Sequence, residues 1–426
     1  MKENIENLMC SILNVSPSDI ANIDVFDAFG ETTIYLKMAH KDFACPYCHS
    51  KNVVNNGSYE RRIIIDNDFV NEEKIKLSIM RYKCNDCGHS FSDTANLAPR
   101  KRKISYKMIY RIMELLKSPS MTFKEVSKLT KVSETSVIRI FDNHTHIPRI
   151  RFPEAICIDE VYTRNSDYKS KYSCIFYDFD KRIILDVLPC RRKGYLHYYL
   201  TAIPKEERDN VKYVCIDMYE PYKDIVSIYF KKAIICVDSF HVVKHIIDDL
   251  NKLRIRIMKT YDPNSQEYYL LNRFRFLLFD RGINLDNEPK FNKKIGQYLN
   301  YNQLLEMMLS INTDLRKAYE LKEMYIKCNS EFNYDEALEN MDTIINEFAL
   351  ANIFEFEEFV GLLKSWKIEI INSFIRYKDK RINNGVAESI NETVSSLIYN
   401  TKGIRNNERR RKRIMYAVNK TGFILK

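Results

Sequence analysis

"AICIDEVYTRNSDYKSKYSCIFYDFDKRIILDVLP", residues 155–189, decides how this chain is to be read. An apolar run from Ala155 to Ile158 meets two adjacent acids, Asp159 and Glu160, and two more strand-like runs follow, Lys171 to Phe179 and Arg182 to Leu188. Three strands in such close succession predict an antiparallel meander. Successive strand side chains point to opposite faces, so only one of Asp159 and Glu160 can join a cluster on a given face. A helical stretch from Lys193 to Ala202 comes next, then "VKYVCID", ending on Asp217, and "AIICVD", ending on Asp238. Neighbouring strands that close on Asp159 and Asp217 would gather carboxylates at one edge of a mixed sheet. Their repulsion is what a divalent cation relieves. Asp178, Asp180 and Asp186 read instead as strand-end or surface acids.

The 426 residues exceed what one hydrophobic core usually organises. A hydrophobic fraction of 45% with only ten Gly and eleven Pro excludes long disordered or collagen-like tracts. Lys and Arg total 67 against 57 Asp and Glu, a formal charge of +10, and the excess gathers at 99–107 and 402–413. That clustering predicts a polyanionic partner. The start, "MKENIENLMCSILNV", has no secretory apolar core, and no stretch reaches the roughly 18 apolar residues of a membrane span. A cytoplasmic, nucleoid-associated protein with no membrane partner is expected.

Of eleven cysteines, Cys10, Cys157, Cys174, Cys190, Cys215, Cys236 and Cys328 are scattered, several of them in apolar runs, and read as small core hydrophobes. The other four form two pairs of two-residue spacing, Cys45 with Cys48 and Cys84 with Cys87. Such pairs sit on tight knuckles that aim both sulfurs inward, and two of them make a tetrahedral thiolate cage for structural Zn²⁺. Gly88 suits the unusual backbone angles after the second pair. The 35 residues between the pairs read as two strands, roughly Tyr59 to Ile65 and Lys74 to Tyr82, which makes a zinc ribbon. His49 and His89 are spare candidate ligands.

After the basic linker "APRKRKISYK" comes a helical stretch, Ser105 to Lys117, and then "TFKEVSKLTKVSETSVIRIFDNHTH". Thr122 with Glu125 resembles a capping box, Val126 and Leu129 suggest one apolar face, and "KVS" is a short connector. A second helix from Ser133 carries Val137, Ile140 and Phe141 inward, leaving Glu134, Thr135, Ser136 and Arg139 to face out. This is the pattern of a helix-turn-helix whose outward residues enter a major groove. Lys101, Arg102 and Lys103, and the later run Arg409, Arg410, Arg411, Lys412 and Arg413, suit phosphate contacts.

The ordered set of cysteine pairs and helix-turn-helix, "ICIDE", "RIILDVLP", "CIDMYEPY", "VDSFHVVKH" and "NNGVAESINETVSSLIYNTKGIRNNERRRKR" resembles the DDE transposases of bacterial insertion sequences, in particular the ISL-three-like branch. The resemblance covers most of the chain. It implies a ribonuclease-H-like core with Asp159, Asp217 and Glu388 as catalytic carboxylates holding Mg²⁺ or Mn²⁺. It also matches Asp238 and His241 to an acid-x-x-His signature. In the sequence alone Glu388 is one acid in a helical segment, beside an apolar stripe of Val386, Ile390, Val394 and Leu397, with Glu392 as its rival.

The expected fold is a multidomain α/β chain. It comprises an N-terminal segment (1–40), a zinc ribbon (41–98), a helix-turn-helix domain (99–150) and the first part of a mixed-sheet core (151–249). An all-helical insertion (250–375) follows, then a closing helix with a basic tail (376–426). The insertion is inferred because 171 residues separate Asp217 from Glu388 and much of 250–375 has helical spacing. Trp366, the lone tryptophan, is a candidate base-stacking residue as well as a candidate core residue. The implied function is binding of transposon ends followed by metal-dependent cleavage and strand transfer, by a homodimer or larger assembly on double-stranded end and target DNA. The alternatives are a DNA-binding regulator and a nuclease that cuts without joining.

Overall fold

The computed structural model describes residues 10, 16–28, 31–40, 42, 44–64, 74–92, 97–99, 102–165, 168–280, 282–401 and 404–424. The chain divides into two compact units, residues 1–148 with 396–426, and residues 149–395, the later boundary falling inside the helix Gly385–Asn400.

The first unit contains the strands β1 (Ile20–Ala28), β2 (Glu31–Met38), β3 (Val53–Ile64), β4 (Lys74–Cys84) and β5 (Ser90–Ser92). They form one sheet in the order β1-β2-β4-β3, with β5 on β4; β2 and β4 run parallel and the other pairs antiparallel. In β4 the alternation of "KIKLSIM" puts Ile75, Leu77 and Ile79 on one face, all buried, against Ile34, Leu36, Met38 and Ile63. The two strands expected of the ribbon are β3 and β4, both longer than the sequence suggests; Ile65 lies outside the described residues. The N-terminal segment 1–40 supplies β1 and β2.

Three helices follow, Tyr106–Leu115, Phe123–Thr130 and Glu134–His144. The second opens on a reciprocal capping box between Thr122 and Glu125, and Ser133 caps the third. Val137, Ile140 and Phe141 are buried as expected. Leu129 is not: it is 61% exposed, and Phe123, Val126 and Thr130 make the inward stripe. The stripe is centred one step round the helix from where an apolar side chain suggested.

The same unit takes in the C-terminal helix Asn407–Asn419, whereas the sequence grouped this basic tail with the closing helix of the core. Arg413 is fully buried, its Nη2 donating to the carbonyls of Ser118 and Met121 at 2.9 and 2.8 Å. These carbonyls lie in the turn between the first two helices, where that of Ser118 also accepts from the Met121 amide at 3.3 Å, and the guanidinium supplies a donor in place of water. Tyr416 donates to the carbonyl of Met113 at 3.0 Å and meets Phe141 edge-on at 5.7 Å. Residues past the helix form a bridge between Phe423 and Thr145.

The second unit is built on β6 (Ala155–Asn165), β7 (Ser170–Asp178), β8 (Ile183–Leu188), β9 (Tyr213–Ile216) and β10 (Ile234–Val237), in the order β10-β9-β6-β7-β8. The meander β6-β7-β8 is antiparallel, whereas β6-β9 and β9-β10 are parallel. The apolar run at Ala155 therefore does not end on its acids: β6 continues to Asn165. What ends is its pairing with β9, which stops at Cys157. One face of β6, Ile156 and Ile158, packs with the helices Lys193–Thr201 and Glu220–Tyr229 through Leu196, Leu200, Tyr222 and Val226.

Beyond β10 the helix Ser239–Met258 begins a long helical region running to Asn372. It is not all-helical, since Lys290–Asn292 and Gln297–Leu299 pair as a short hairpin. Nor has it a core of its own: Val242, Phe348, Trp366 and Ile370 belong to one apolar cluster with Ile156 and Phe176 of the sheet. Trp366 is 2% exposed with Lys223 Nζ 4.8 Å from its ring, so it packs and has no face for a base. Asp178 does end its strand, accepting from the amides of Asp180 and Lys181. Asp186 is no surface acid, being buried with its carboxylate on Tyr199 OH and the Val187 amide. Among the described residues no helix is long and apolar enough to cross a membrane.

Candidate active site and metal centres

The parallel register explains how the acids meet. Cys157 pairs with Cys215 and Cys215 with Cys236, so two residues further on Asp159, Asp217 and Asp238 fall at one level. There β9 and β10 have ended and β6 has lost its neighbour, which leaves a notch at the carboxyl end of the parallel strands, the usual place for a site in such a sheet. Glu160 points to the other face of β6, where it pairs with Arg191, whose guanidinium lies 4.6 Å from the rings of Tyr172 and Tyr219. Of the two adjacent acids, Asp159 is the one in the cluster.

Asp159 is 6% exposed, and burial followed by the nearby Asp217 charge pushes its carboxyl up to about 7. Asp217, half-buried, is pushed up to about 6, chiefly by burial, with Asp238 adding to the effect and His241 opposing it. Asp238 is 1% exposed and already engaged: Oδ1 accepts from the amides of Phe240 and Asn384 at 3.3 and 3.2 Å, and Oδ2 meets His241 Nδ1 at 2.9 Å. It thereby caps the helix Ser239–Met258 and fixes the His241 ring. Burial alone would lower the pKa of His241, but the Asp238 hydrogen bond and the Asp217 and Asp159 charges raise it to about 9.

Ligand atoms of Asp217, Asp238 and His241 lie within 4.8 Å of one another. Asp217 Oδ1 is buried and makes no hydrogen bond among the described residues; His241 Nδ1 stands 3.2 Å away, but its ring N–H is directed at Asp238. An orphaned carboxylate oxygen among acids whose charges raise one another's pKa fits a divalent cation.

Glu388 lies in the first turn of the helix Gly385–Asn400. Burial and then the charge of Asp238 raise its carboxyl above the ordinary range, while His241 opposes that, so Glu388 is within electrostatic reach of Asp238 and His241, although neither it nor Asp159 belongs to the 4.8 Å group. Its rival Glu392 is exposed. Val394 and Leu397 are buried as the apolar stripe requires, and the side chain of Val386 lies outside the described residues. Two contacts escaped the sequence reading. Cys157 Sγ donates to the Asn383 carbonyl at 3.7 Å, and Asn391, three residues after Glu388, donates from Nδ2 to Asp159 Oδ2 at 2.8 Å. The one signal for Asn391 was its position on the Glu388 face of the helix.

In the first unit Cys45, Cys48, Cys84 and Cys87 bring their sulfurs within 4.8 Å of one another. The two knuckles match: the amides of His49 and Gly88 donate to the carbonyls of Cys45 and Cys84, and both residues have left-handed backbone, φ 60° and 75°. Glycine takes that conformation freely, as expected at Gly88, whereas His49 does so with a side chain. Neither histidine is in the cluster of four sulfurs, a donor set that suits Zn²⁺.

Of the expected DNA-contacting residues, Glu134, Thr135 and Arg139 are exposed and Ser136 is half-buried, its hydroxyl accepting from that of Ser133. Arg139 and Ser136 line a cleft of about 770 Å³ with Arg102, Lys103 and Lys131, which brings part of the linker and the third helix to one basic surface. Lys101 lies outside the described residues. The second basic run is not a surface strip: besides buried Arg413, Arg409 pairs with Asp142 at 2.6 Å, Arg410 and Arg411 donate to the carbonyls of Ile404 and Ile147, and Lys412 lies 3.8 Å from Glu408.

A profile of DDE transposases of the ISL3 type, described as transposase, matches residues 156–414, a span that holds Asp159, Asp217, Asp238, His241 and Glu388. The transposase for insertion sequence element IS1001 of Bordetella parapertussis is 21% identical over 296 residues, covering 67% of this chain and 70% of that protein.

Proposed function

Because the chain belongs to the ISL3-type family of DDE transposases and so is a DNA-cleaving and strand-transferring enzyme that uses divalent metal, we propose that it acts on the terminal inverted repeats of an insertion sequence through Asp159, Asp217 and Glu388, set in a ribonuclease-H-like core. The observation that carries this reading is the common level of Asp159, Asp217 and Asp238 at the open end of β6, β9 and β10, with the Glu388 carboxyl within electrostatic reach of Asp238.

Asp159, Asp217 and Glu388 supply hard oxygen donors, which suit Mg²⁺ or Mn²⁺. Bound there, the metal supplies polarisation of the scissile phosphate and an activated water or 3′ hydroxyl for in-line displacement. Asp238 holds His241 through Nδ1, which orients the ring to donate to a phosphate oxygen. In the first unit Zn²⁺ on the four cysteines fixes the ribbon, Glu134, Thr135, Ser136 and Arg139 meet base edges, and Arg102 and Lys103 meet phosphates. Joining two ends in one event calls for two or more copies on DNA.

The test is purified protein with Mg²⁺ and a duplex carrying the flanking terminal repeat, followed for nicking at the repeat and for joined product. Cleavage without any joining would indicate a nuclease, and binding without cleavage a regulator.

A further inference from the structure

Asp159 is the most enclosed of the three proposed ligands, and something must hold its carboxylate in one rotation. Its Oδ1 accepts from the Glu160 amide at 2.7 Å and its Oδ2 from Asn391 Nδ2 at 2.8 Å. Each oxygen thus has one donor and keeps a lone pair for the notch. Asn391 is itself oriented: the hydroxyl of Tyr177, a residue buried in β7, donates to Asn391 Oδ1. A reversed amide would set its oxygen against the acceptor-only Asp159 carboxylate and lose that bond, while its NH₂ could only turn to the Tyr177 hydroxyl as donor. Tyr177 stands directly across from Cys157 in the β6-β7 register, so the sheet that presents Asp159 also presents the group that orients its partner. Asn391 follows Glu388 by three residues on one helix. A rotation of the helix that moved Glu388 would therefore break the bond to Asp159.

We propose that Asn391, set by Tyr177, is a positioning residue that fixes the Asp159 carboxylate for metal binding and couples its orientation to that of Glu388. A neutral amide does this without competing with the cation, as a lysine or arginine would. The inference rests on the reading of Asp159 as a metal ligand. A group that orients a ligand typically alters metal affinity by about 10- to 100-fold when removed.

The experiment uses the full-length protein and measures Mn²⁺ affinity by electron paramagnetic resonance, alongside terminal-repeat binding, melting temperature and cleavage kinetics. Asn391→Ala is expected to weaken Mn²⁺ binding by about tenfold or more and to lower kcat with little change in KM for DNA. Tyr177→Phe, which removes one oxygen and keeps the ring, is expected to shift both in the same direction by a smaller factor, and it serves if Asn391→Ala does not fold. Wild-type Mn²⁺ affinity in a folded Asn391→Ala protein, or in Tyr177→Phe if that is the protein that folds, overturns the proposal. So does a loss of Mn²⁺ affinity only in proportion to a lowered melting temperature, since Asn391 would then be a structural tie. Asp159→Ala separates the two layers. If it binds Mn²⁺ and cleaves normally, the assignment of Asp159 fails; if it is inactive while Asn391→Ala binds Mn²⁺ as wild type, only this inference fails.

Discussion

Arg409 and Asp142, 267 residues apart in the chain, meet in a forked ion pair in which the guanidinium donates from Nε and Nη2 at 2.9 and 2.6 Å. The pair joins the C-terminal helix to the helix Glu134–His144 of the same unit and engages Arg409 within the fold.

The C-terminal helix should therefore act on folding before it acts on DNA. Arg413→Ala removes the side-chain donor to the carbonyls of Ser118 and Met121, leaves a cavity at a fully buried position and is expected to cost about 2 to 4 kcal/mol. Limited proteolysis should find the region 104–145 newly sensitive in that variant and in a chain ending at residue 403. If terminal-repeat binding weakens with unchanged protease resistance and a flatter salt dependence, the run contacts phosphates after all.

Removal of a carboxylate from the notch should separate chemistry from binding. Asp159→Ala, Asp217→Ala and Glu388→Ala are each expected to abolish cleavage and keep end binding, because the proposed reader, the helix Glu134–His144, lies in the other unit. Exposed Glu392 is the control. An inactive Glu392→Ala beside an active Glu388→Ala would place the glutamate one turn later.

The thiolate cage should hold one zinc per chain. Metal analysis of Cys45→Ser or Cys84→Ser is expected to find that ion gone and the β3-β4 ribbon partly unfolded. Unchanged zinc content would mean the four sulfurs are not its ligands.

Reading and holding should fail differently in the basic cleft. Arg139→Ala should reduce the preference for the terminal repeat over random DNA by about 1 to 3 kcal/mol if it pairs with guanine. Neutralising Arg102 and Lys103 together should weaken binding to all DNA and flatten the salt slope. Equal losses on specific and random DNA from Arg139→Ala would assign base reading to another surface.

Acid should weaken the second unit through Glu207. Arg149 donates to its two oxygens at 2.6 and 2.8 Å, holding its carboxyl below the ordinary range, and the Phe152 amide adds a third bond at 2.9 Å. A carboxyl depressed in the folded state contributes stability above its unfolded pKa of about 4.3, and that contribution is lost as pH falls through the folded value. Urea midpoints of wild type and Glu207→Gln should thus differ at pH 7 and converge towards pH 3. A gap that persists at pH 3 would trace the difference to packing.

Local signals in the sequence determined what local chemistry can determine. Two short cysteine spacings aim four sulfurs inward, Thr122 and Glu125 close a capping box within one turn, and period-two alternation carries Ile75, Leu77 and Ile79 to one face. Strand alternation showed that only one of Asp159 and Glu160 could join a cluster with Asp217, and the family resemblance pointed to Asp159. Tertiary structure decided what depends on the chain meeting itself. The basic run 409–413 read as suited to phosphates because a buried guanidinium is costly, and only the fold brings Arg413 Nη2 to the carbonyls of Ser118 and Met121, almost 300 residues earlier, while Nε and Nη1 stay buried with no partner among the described residues. Asn391 could not be matched to Asp159, 232 residues away, because no spacing rule reaches from a helix to a strand edge. The long helical region looked separable by periodicity, yet its apolar faces close on the sheet, since burial is settled by whichever surfaces come together.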